Sequence, residues 1–184
     1  MEFDFARAHC RFLKVDTLRE PGDHPGPLPT RGVSPSGGAA AFFRDQQGVS
    51  PAYRSGPLFG HWEAGGERLQ VVCAAMAGYI RWSDYDPGQP FAMHAEYVLG
   101  WTDALRAVVF PDLDWVGQWL AFPASVAGPR EEARLLRQAH ALRLVDRHRP
   151  LLVLGQGRSG LEVRASTLDA QDGERTLEVQ EVTG

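Results

Sequence analysis

Residues 115–136, "WVGQWLAFPASVAGPREEARLL", join an apolar segment to a polar one that has helical periodicity. The first part, within "LDWVGQWLAF", is a candidate for a buried strand. Pro129 suits the first turn of a helix, and Glu131 and Glu132 suit its positive end. Apolar side chains then recur at helical spacing, at Leu135, Leu136, Ala139, Leu142 and Val145. The stretch therefore predicts a strand, a short loop and a helix.

Strand patterns flank this unit on both sides. "SGPLFGHWE" and "RLQVVCAAMAGYIRW" predict two strands before it, and "PLLVL", "LEVRAST" and "RTLEVQEV" predict three after it. "AAAFFRDQQ" predicts a short helix, while "FAMHAEYVLGWTDALRAVVF" fits a helix, a strand followed by a helix, or two strands. The predicted fold class is α/β (α+β), with a single central mixed β-sheet flanked by helices.

The beginning of the chain has a different composition. Residues 1–19 predict a strand or a short helix. About half of residues 20–38 are Gly or Pro, which predicts a loop or linker without regular structure. Residues 39–184 are predicted to form the domain, with its core in 50–168.

Length, charge and cysteine content restrict the function classes. A chain of 184 residues holds one sizeable core. The net charge of −4 argues against nucleic-acid binding, and the preference for Arg over Lys is typical of a GC-rich bacterial genome. Cys10 and Cys73 form neither a disulfide framework nor a metal knuckle, although a single bridge between them stays open. With no signal peptide and no apolar run of membrane-spanning length, we expect a cytoplasmic protein that does not enter a membrane.

Two motifs in the sequence lack the context that their chemistry needs. "GQGRSG" has the spacing of a dinucleotide-binding loop, but the strand-like "LEVRAST" follows where a helix is required, so we predict a hairpin. His61 and Glu63, like His94 and Glu96, are two residues apart and would share one face of a strand. Zinc deaminases combine such a pair with Pro-Cys-x-x-Cys, a motif that this sequence lacks.

From Pro51 onward the order of elements resembles the JAB/MPN (JAMM) domain family, whose fold is cytidine-deaminase-like. "RSGPLFG" is similar to the family's Glu-x-Gly-x-Leu-x-Gly, with Arg54 at the glutamate position. "VGQWLAFP" is similar to Gly-x-x-His-Ser-His-Pro, with Leu120 and Phe122 at the two histidine positions. In the Ser-x-x-Asp motif that follows, Arg130 stands at the serine and Ala133 at the aspartate.

The resemblance implies a protein without the family's catalysis. Leu, Phe and Ala offer no lone pair to zinc, and Arg54 would place a cation beside any metal ion. We therefore predict no catalytic residue and no cofactor. The resemblance implies a non-catalytic scaffold or partner subunit that binds another protein, in a bacterial ubiquitin-like or sulfur-carrier system. Exposed aromatic residues would supply the interface anchors, with Trp62, Trp82, Trp101 and Tyr85 as candidates.

Two alternatives stay open. One is a metal-dependent hydrolase that binds zinc through His61, Glu63, His94 and Glu96, which requires at least two of these side chains to converge within about 4 Å of a common point. The other is a small-molecule or peptide-binding module whose apolar pocket surrounds Leu120 and Phe122.

Overall fold

The strands of the chain close into a barrel. The computed structural model describes residues 29–46, 53–78, 90–109, 111–122, 128–157, 160–168 and 173–180. Within these ranges the elements are, in chain order, β1 (Gly32–Pro35), α1 (Gly37–Gln46), β2 (Arg54–Trp62), β3 (Arg68–Ala74), α2 (Ala95–Val108), β4 (Asp114–Ala121), α3 (Pro129–Ala141), β5 (Leu151–Gly157), β6 (Gly160–Leu168) and β7 (Glu174–Val179).

The barrel has the strand order β1-β3-β2-β4-β5-β6-β7, and β7 returns to pair with β1. The pairs β1–β3, β1–β7 and β4–β5 are parallel, and the other four pairs are antiparallel. The predicted open sheet flanked by helices, with its JAB/MPN-like layering, is therefore wrong. The chain is a closed, mixed seven-stranded barrel with three helices in its described residues.

The closing strand β1 explains the error. It lies within residues 20–38, which the Gly and Pro content predicted to be a loop, and α1 also begins there. β1 pairs on both sides, with Gly32 opposite Arg68 of β3 and Val33 opposite Val179 of β7. Pro35, which has no N–H to donate, is the last residue of the strand.

The pairing of β2 with each of its two neighbouring strands is irregular. The register of β2 with β4 shifts between Leu58 and Phe59, and its register with β3 shifts between Phe59 and Gly60. A bulge changes which face the following side chains occupy. As a result, β4 places Trp115 and Leu120 on one side of the barrel wall and Val116 and Trp119 on the other.

Two hydrophobic cores share the barrel wall. The inner core takes buried side chains from all seven strands, and Phe43 of α1 packs into it. The outer core lies between the wall and the helices α2 and α3. Its largest fully buried members are Phe59, Leu113, Trp115, Leu120, Leu135, Leu136 and Leu151. The outer core therefore holds the two longer helices against one side of the barrel.

Several local predictions are confirmed. The helix predicted after Gly128 is α3, although it ends at Ala141, so that Leu142 and Val145 lie beyond it. "AAAFFRDQQ" lies largely within α1, and "GQGRSG" joins β5 to β6 as a hairpin in which Gly157 pairs with Gly160. The ambiguous segment after Pro90 contains the helix α2. The strand or helix predicted for residues 1–19 lies outside the described residues. None of the helices in the described ranges is long and apolar enough to cross a membrane.

Candidate functional site

The positions singled out by the family resemblance meet at one end of the barrel. Arg54 lies opposite Ala121 in the β2–β4 pair, and Ser55 lies opposite Leu120. Leu120 is fully buried in the outer core. The half-buried ring of Phe122 packs edge-on against Tyr53, with 5.7 Å between the ring centroids. Among the described residues, Leu120 and Phe122 therefore both pack against side chains of the protein itself.

Ion pairs hold the start of α3 against this end of the barrel. The Tyr53 hydroxyl donates to Glu131 Oε1 at 3.0 Å, and the Arg134 guanidinium donates to both carboxylate oxygens of Glu131 at 2.6 and 2.9 Å. The next residue of α3, Glu132, pairs with Arg164 of β6, which also pairs with Glu162. Arg130 is exposed and Ala133 is half-buried on the same helix.

The protonation equilibria reflect these contacts. Hydrogen bonds from Arg134 hold the pKa of Glu131 below its usual range. Burial is the main cause of the raised pKa of Tyr53, and the hydrogen bond to Glu131 adds to it. The Glu132 carboxylate raises the pKa of Arg164. Each of the three carboxylates is paired with an arginine, so we interpret the cluster as an attachment of α3 to the barrel.

The histidine and glutamate residues of the zinc alternative lie near opposite ends of β2. The His94 N–H donates to Ala77 O at 2.9 Å, and the Ala77 N–H donates to Ser55 O at 3.1 Å, which places His94 beside the start of β2. His61 lies six residues farther along this strand, a separation of about 20 Å. Glu63 lies two residues after His61, and Glu96 lies two residues after His94. The pair of His61 and Glu63 therefore does not meet the pair of His94 and Glu96. In the part of the chain that the structure describes, no group of three or more His, Cys, Asp or Glu side chains could hold a metal ion.

The surface of α2 shows a different feature, an apolar stripe that no part of the described chain covers completely. One face of the helix packs into the outer core through Val98, Thr102 and Leu105, which are at most 8% exposed. A second row, offset by one residue, has the spacing of another helical face. We call this row the α2 stripe; it consists of Tyr97, Trp101, Ala104 and Val108.

The α2 stripe combines aromatic and aliphatic surface. Trp101 is 37% exposed and Val108 is 83% exposed, and both are large apolar residues. Ala104 is exposed, while Tyr97 is half-buried and packs partly against the outer core. Single exposed apolar residues are common, but a row of them along one helix face indicates an interaction surface.

A third row borders the α2 stripe on the side away from the barrel. It consists of Glu96, Gly100, Asp103 and Ala107, all of them exposed, and we call it the acidic rim. A Cβ atom added to Gly100 would meet nothing within 4 Å. No contact in the described chain therefore requires glycine in the middle of this helix, where it costs about 1 kcal/mol relative to alanine.

Of the candidate anchors, Trp101 is exposed in the described residues. Trp62 is half-buried and donates to Thr30 Oγ1 at 3.2 Å, while Trp82 and Tyr85 lie outside the described residues. Sequence reasoning did not find the rest of the α2 stripe. The signal was present as two apolar series offset by one residue across residues 97–108, but it is readable only once the segment is known to be helical.

Comparison with known proteins finds similarity in fold, and none in sequence family. No family model matches the chain, and no curated protein matches it. The barrel is similar to the solution structure of protein DSY2949 from Desulfitobacterium hafniense, a Northeast Structural Genomics Consortium target, with a TM-score of 0.55 and 14% sequence identity. The similarity covers 80% of this chain and 91% of that one. At this identity the similarity shows the fold alone.

Proposed function

We propose that this chain is a protein-binding module whose contact surface is the α2 stripe. The proposal keeps the predicted protein partner and the predicted cytoplasmic location, and it moves the site from the end of the barrel to the surface of a helix. The observation that carries it is the exposure of Trp101 and Val108 on a helix that already buries a complete apolar face.

The chemistry of the α2 stripe suits a protein partner. Tryptophan supplies a large rigid contact area together with an N–H donor, and it is enriched among the residues that dominate interface energies. The stripe extends over about three turns of α2, which is too long and too shallow to enclose a small ligand. A contiguous apolar row gains free energy when a partner removes it from water.

The barrel interior favours the same proposal over a small-molecule receptor. Trp119 and Phe43 are fully buried within it, and their rings lie 6.5 Å apart between centroids. Phe42 packs edge-on against Trp119 at 5.4 Å. Side chains of this size fill the lumen of a seven-stranded barrel, so ligand recognition is assigned to the outer surface.

Site-specific photo-cross-linking in the native host tests the proposal. A photoreactive benzoylphenylalanine replaces Ala104 on the stripe, and the control replaces Arg175, which is exposed on β7. We expect a discrete cross-linked protein at position 104 that is absent at position 175. The adduct should also be lost when Trp101→Ala is added, because the anchor is removed.

The alternative outcomes are equally specific. Equal adducts at positions 104 and 175 would indicate non-specific contact, and no adduct at position 104 would leave the stripe without a protein partner; either result contradicts the proposal. The melting temperature of Trp101→Ala is measured alongside, because Trp101 is only 37% exposed and its truncation also removes buried contacts.

A further inference from the structure

We infer that Gln118 and Met93 form a binding site for a small neutral molecule that carries one hydrogen-bond donor on an aromatic body. The site lies outside the barrel wall, under the segment that leads into α2. The inference goes beyond the proposed protein-binding function and does not depend on it.

Gln118 is a polar side chain within an apolar layer. It is fully buried on β4, directly opposite Pro57 of β2 and Leu151 of β5. Residues directly opposite one another in a sheet share a face, and Leu151 belongs to the outer core. The carboxamide of Gln118 therefore points into the outer core, where its two neighbours in the strand pairing offer no polar side-chain atom.

The hydrogen bonds of this carboxamide are incomplete. Gln118 Nε2 donates to the Met93 sulfur at 3.4 Å, and a thioether is a weak acceptor. Gln118 Oε1 is shielded from solvent and accepts no hydrogen bond in the described part of the chain. Turning the carboxamide over would exchange its two polar atoms and leave N–H groups unpaired instead. By contrast, the buried hydroxyl of Thr102 donates to Val98 O at 2.9 Å.

An unpaired carbonyl oxygen in the outer core indicates a contact that a ligand can complete. Burying a carbonyl oxygen without a donor destabilises a folded protein, and such groups are few in native structures. A ligand that supplies an O–H or N–H group to Gln118 Oε1 would remove this destabilisation. The bound state would then be favoured by a hydrogen bond that the free protein lacks.

Met93 covers Gln118 from the solvent side. It is half-buried and lies between a turn and α2, outside any helix or strand. Its side chain packs against the outer core and contacts Gln118, so Gln118 lies one side chain below the surface. Methionine is unbranched and adaptable, and its sulfur makes favourable contacts with aromatic rings. Met93 can therefore turn away from Gln118 and pack against an aromatic ligand.

The surroundings of Gln118 restrict the class of ligand. A buried water needs about two to four polar partners, whereas Gln118 offers one free acceptor among apolar neighbours. A charged ligand would lose its hydration without gaining a counterion there. A neutral aromatic ring with a single O–H or N–H group meets both conditions. Phenols and indoles are the simplest molecules of this class.

Nuclear magnetic resonance titration of the full chain tests the inference. Phenol is the probe, and toluene is the matched molecule in which a methyl group replaces the hydroxyl donor. The side-chain amide signals of Gln118 and the methyl signal of Met93 are followed. We expect phenol to shift both in a saturable manner, with a dissociation constant on the order of 1 mM.

Matched substitutions separate the donor contact from simple burial of an apolar ring. Gln118→Leu removes the carbonyl group, so the ratio of the toluene to the phenol dissociation constant should fall about tenfold from its wild-type value. Gln156→Leu makes the same change at an exposed position of β5 and should leave this ratio unchanged. Without ligand, Gln118→Leu should raise the melting temperature by about 3 °C, because it removes an unpaired buried carbonyl.

Several outcomes would overturn the inference. They are the absence of saturable shifts with phenol, shifts that leave Gln118 and Met93 unaffected, and the same ratio in Gln118→Leu as in wild type. A lower melting temperature of Gln118→Leu would also overturn it, because the carboxamide would then already have its hydrogen bonds in the free protein. If Gln118→Leu does not fold, the phenol shifts of the wild-type chain still decide.

Discussion

Gly56 lies at the closest approach between two backbone segments of the barrel. A Cβ atom at this position would come within 1.9 Å of the Ala75 carbonyl oxygen, which is part of the backbone and cannot rotate away. The same oxygen accepts a hydrogen bond from Trp119 Nε1 at 2.8 Å. Trp119 lies opposite Gly56 in the β2–β4 pair. The glycine therefore allows the largest side chain of the inner core to satisfy its N–H.

Replacement of Gly56 by alanine should destabilise the protein. We expect Gly56→Ala to lower the free energy of unfolding by about 3 kcal/mol, at the upper end of the range for overpacked sites. Gly100→Ala is the matched control, because its Cβ would meet nothing within 4 Å, and it should raise the free energy of unfolding by about 1 kcal/mol. Urea unfolding measures both; similar effects of the two substitutions would contradict the close approach at Gly56.

Glu131 gives the attachment of α3 a pH dependence. Arg134 lowers the pKa of Glu131 in the folded protein, so the carboxylate stabilises the fold at a pH above its unfolded pKa of about 4.3. This stabilisation is lost as the pH falls through the lower, folded pKa. Glu131→Gln should therefore reduce the melting temperature by roughly 2 °C at neutral pH, and the difference from wild type should shrink at acid pH.

Melting curves from neutral pH to about pH 3 test the role of Glu131. Glu174→Gln is the control, because Glu174 is exposed on β7. The control should follow the wild-type melting temperature throughout. A difference between Glu131→Gln and wild type that grows toward acid pH would show that the bond to Arg134 does not stabilise the folded state.

At the scale of elements, β1 decides whether the sheet is open or closed. It has four residues, and only Gly32 and Val33 pair with β7. Two hydrogen bonds join this part of the chain to β7 and the residue after it: the Glu178 N–H donates to Arg31 O at 3.0 Å, and the Gln180 N–H donates to Val33 O at 2.9 Å. Val33 itself is fully buried in the inner core.

Hydrogen exchange should detect this closure. We expect the Glu178 and Gln180 amides to exchange slowly, through openings that cost nearly the full free energy of unfolding, because β1 covers them. The Gly66 amide, which donates to Glu63 O in an exposed turn, is the internal reference and should exchange much faster. If the Glu178 and Gln180 amides exchanged as fast as that of Gly66, the barrel would be open between β1 and β7 in solution.

Local chemistry made some elements predictable and others not. α3 has Pro129 at its start, acidic residues in its first turn and a clear apolar face, so its position followed from the sequence. The β5–β6 hairpin followed from its glycines. β1 has no comparable pattern, because "GVSP" is short and is stabilised by partners far along the chain. Its pairing with both β3 and β7 could not be inferred from local propensity.

The candidate site was predictable only in part. Trp101 was a candidate anchor from its residue type alone, whereas the α2 stripe depends on which helix face the barrel covers. That face is set by contacts between α2 and the outer core, including Val98 and Leu105. Periodicity alone could not choose between helix and strand for this segment, and so it could not separate the covered face from the exposed one.

At the scale of the molecule, one wall supports two cores. β4 contributes Trp115 and Leu120 to the outer core and Val116 and Trp119 to the inner core. A strand that is buried on both faces has no solvent face, so its sequence is apolar nearly throughout. This pattern is common to open sheets covered by helices and to barrels with an outer helical layer. It therefore favoured the wrong fold class until the β1–β7 pairing was known.

The shared wall predicts that the barrel and its outer helices unfold together. Leu151 and Leu152 are adjacent on β5 and equally buried, but Leu151 belongs to the outer core and Leu152 to the inner core. Each substitution to alanine should lower the free energy of unfolding by about 2–5 kcal/mol. Both should shift a single transition in which far-UV circular dichroism and tryptophan fluorescence coincide. An independent helical layer would behave differently: Leu151→Ala would separate the two probes into distinct transitions, while Leu152→Ala would not.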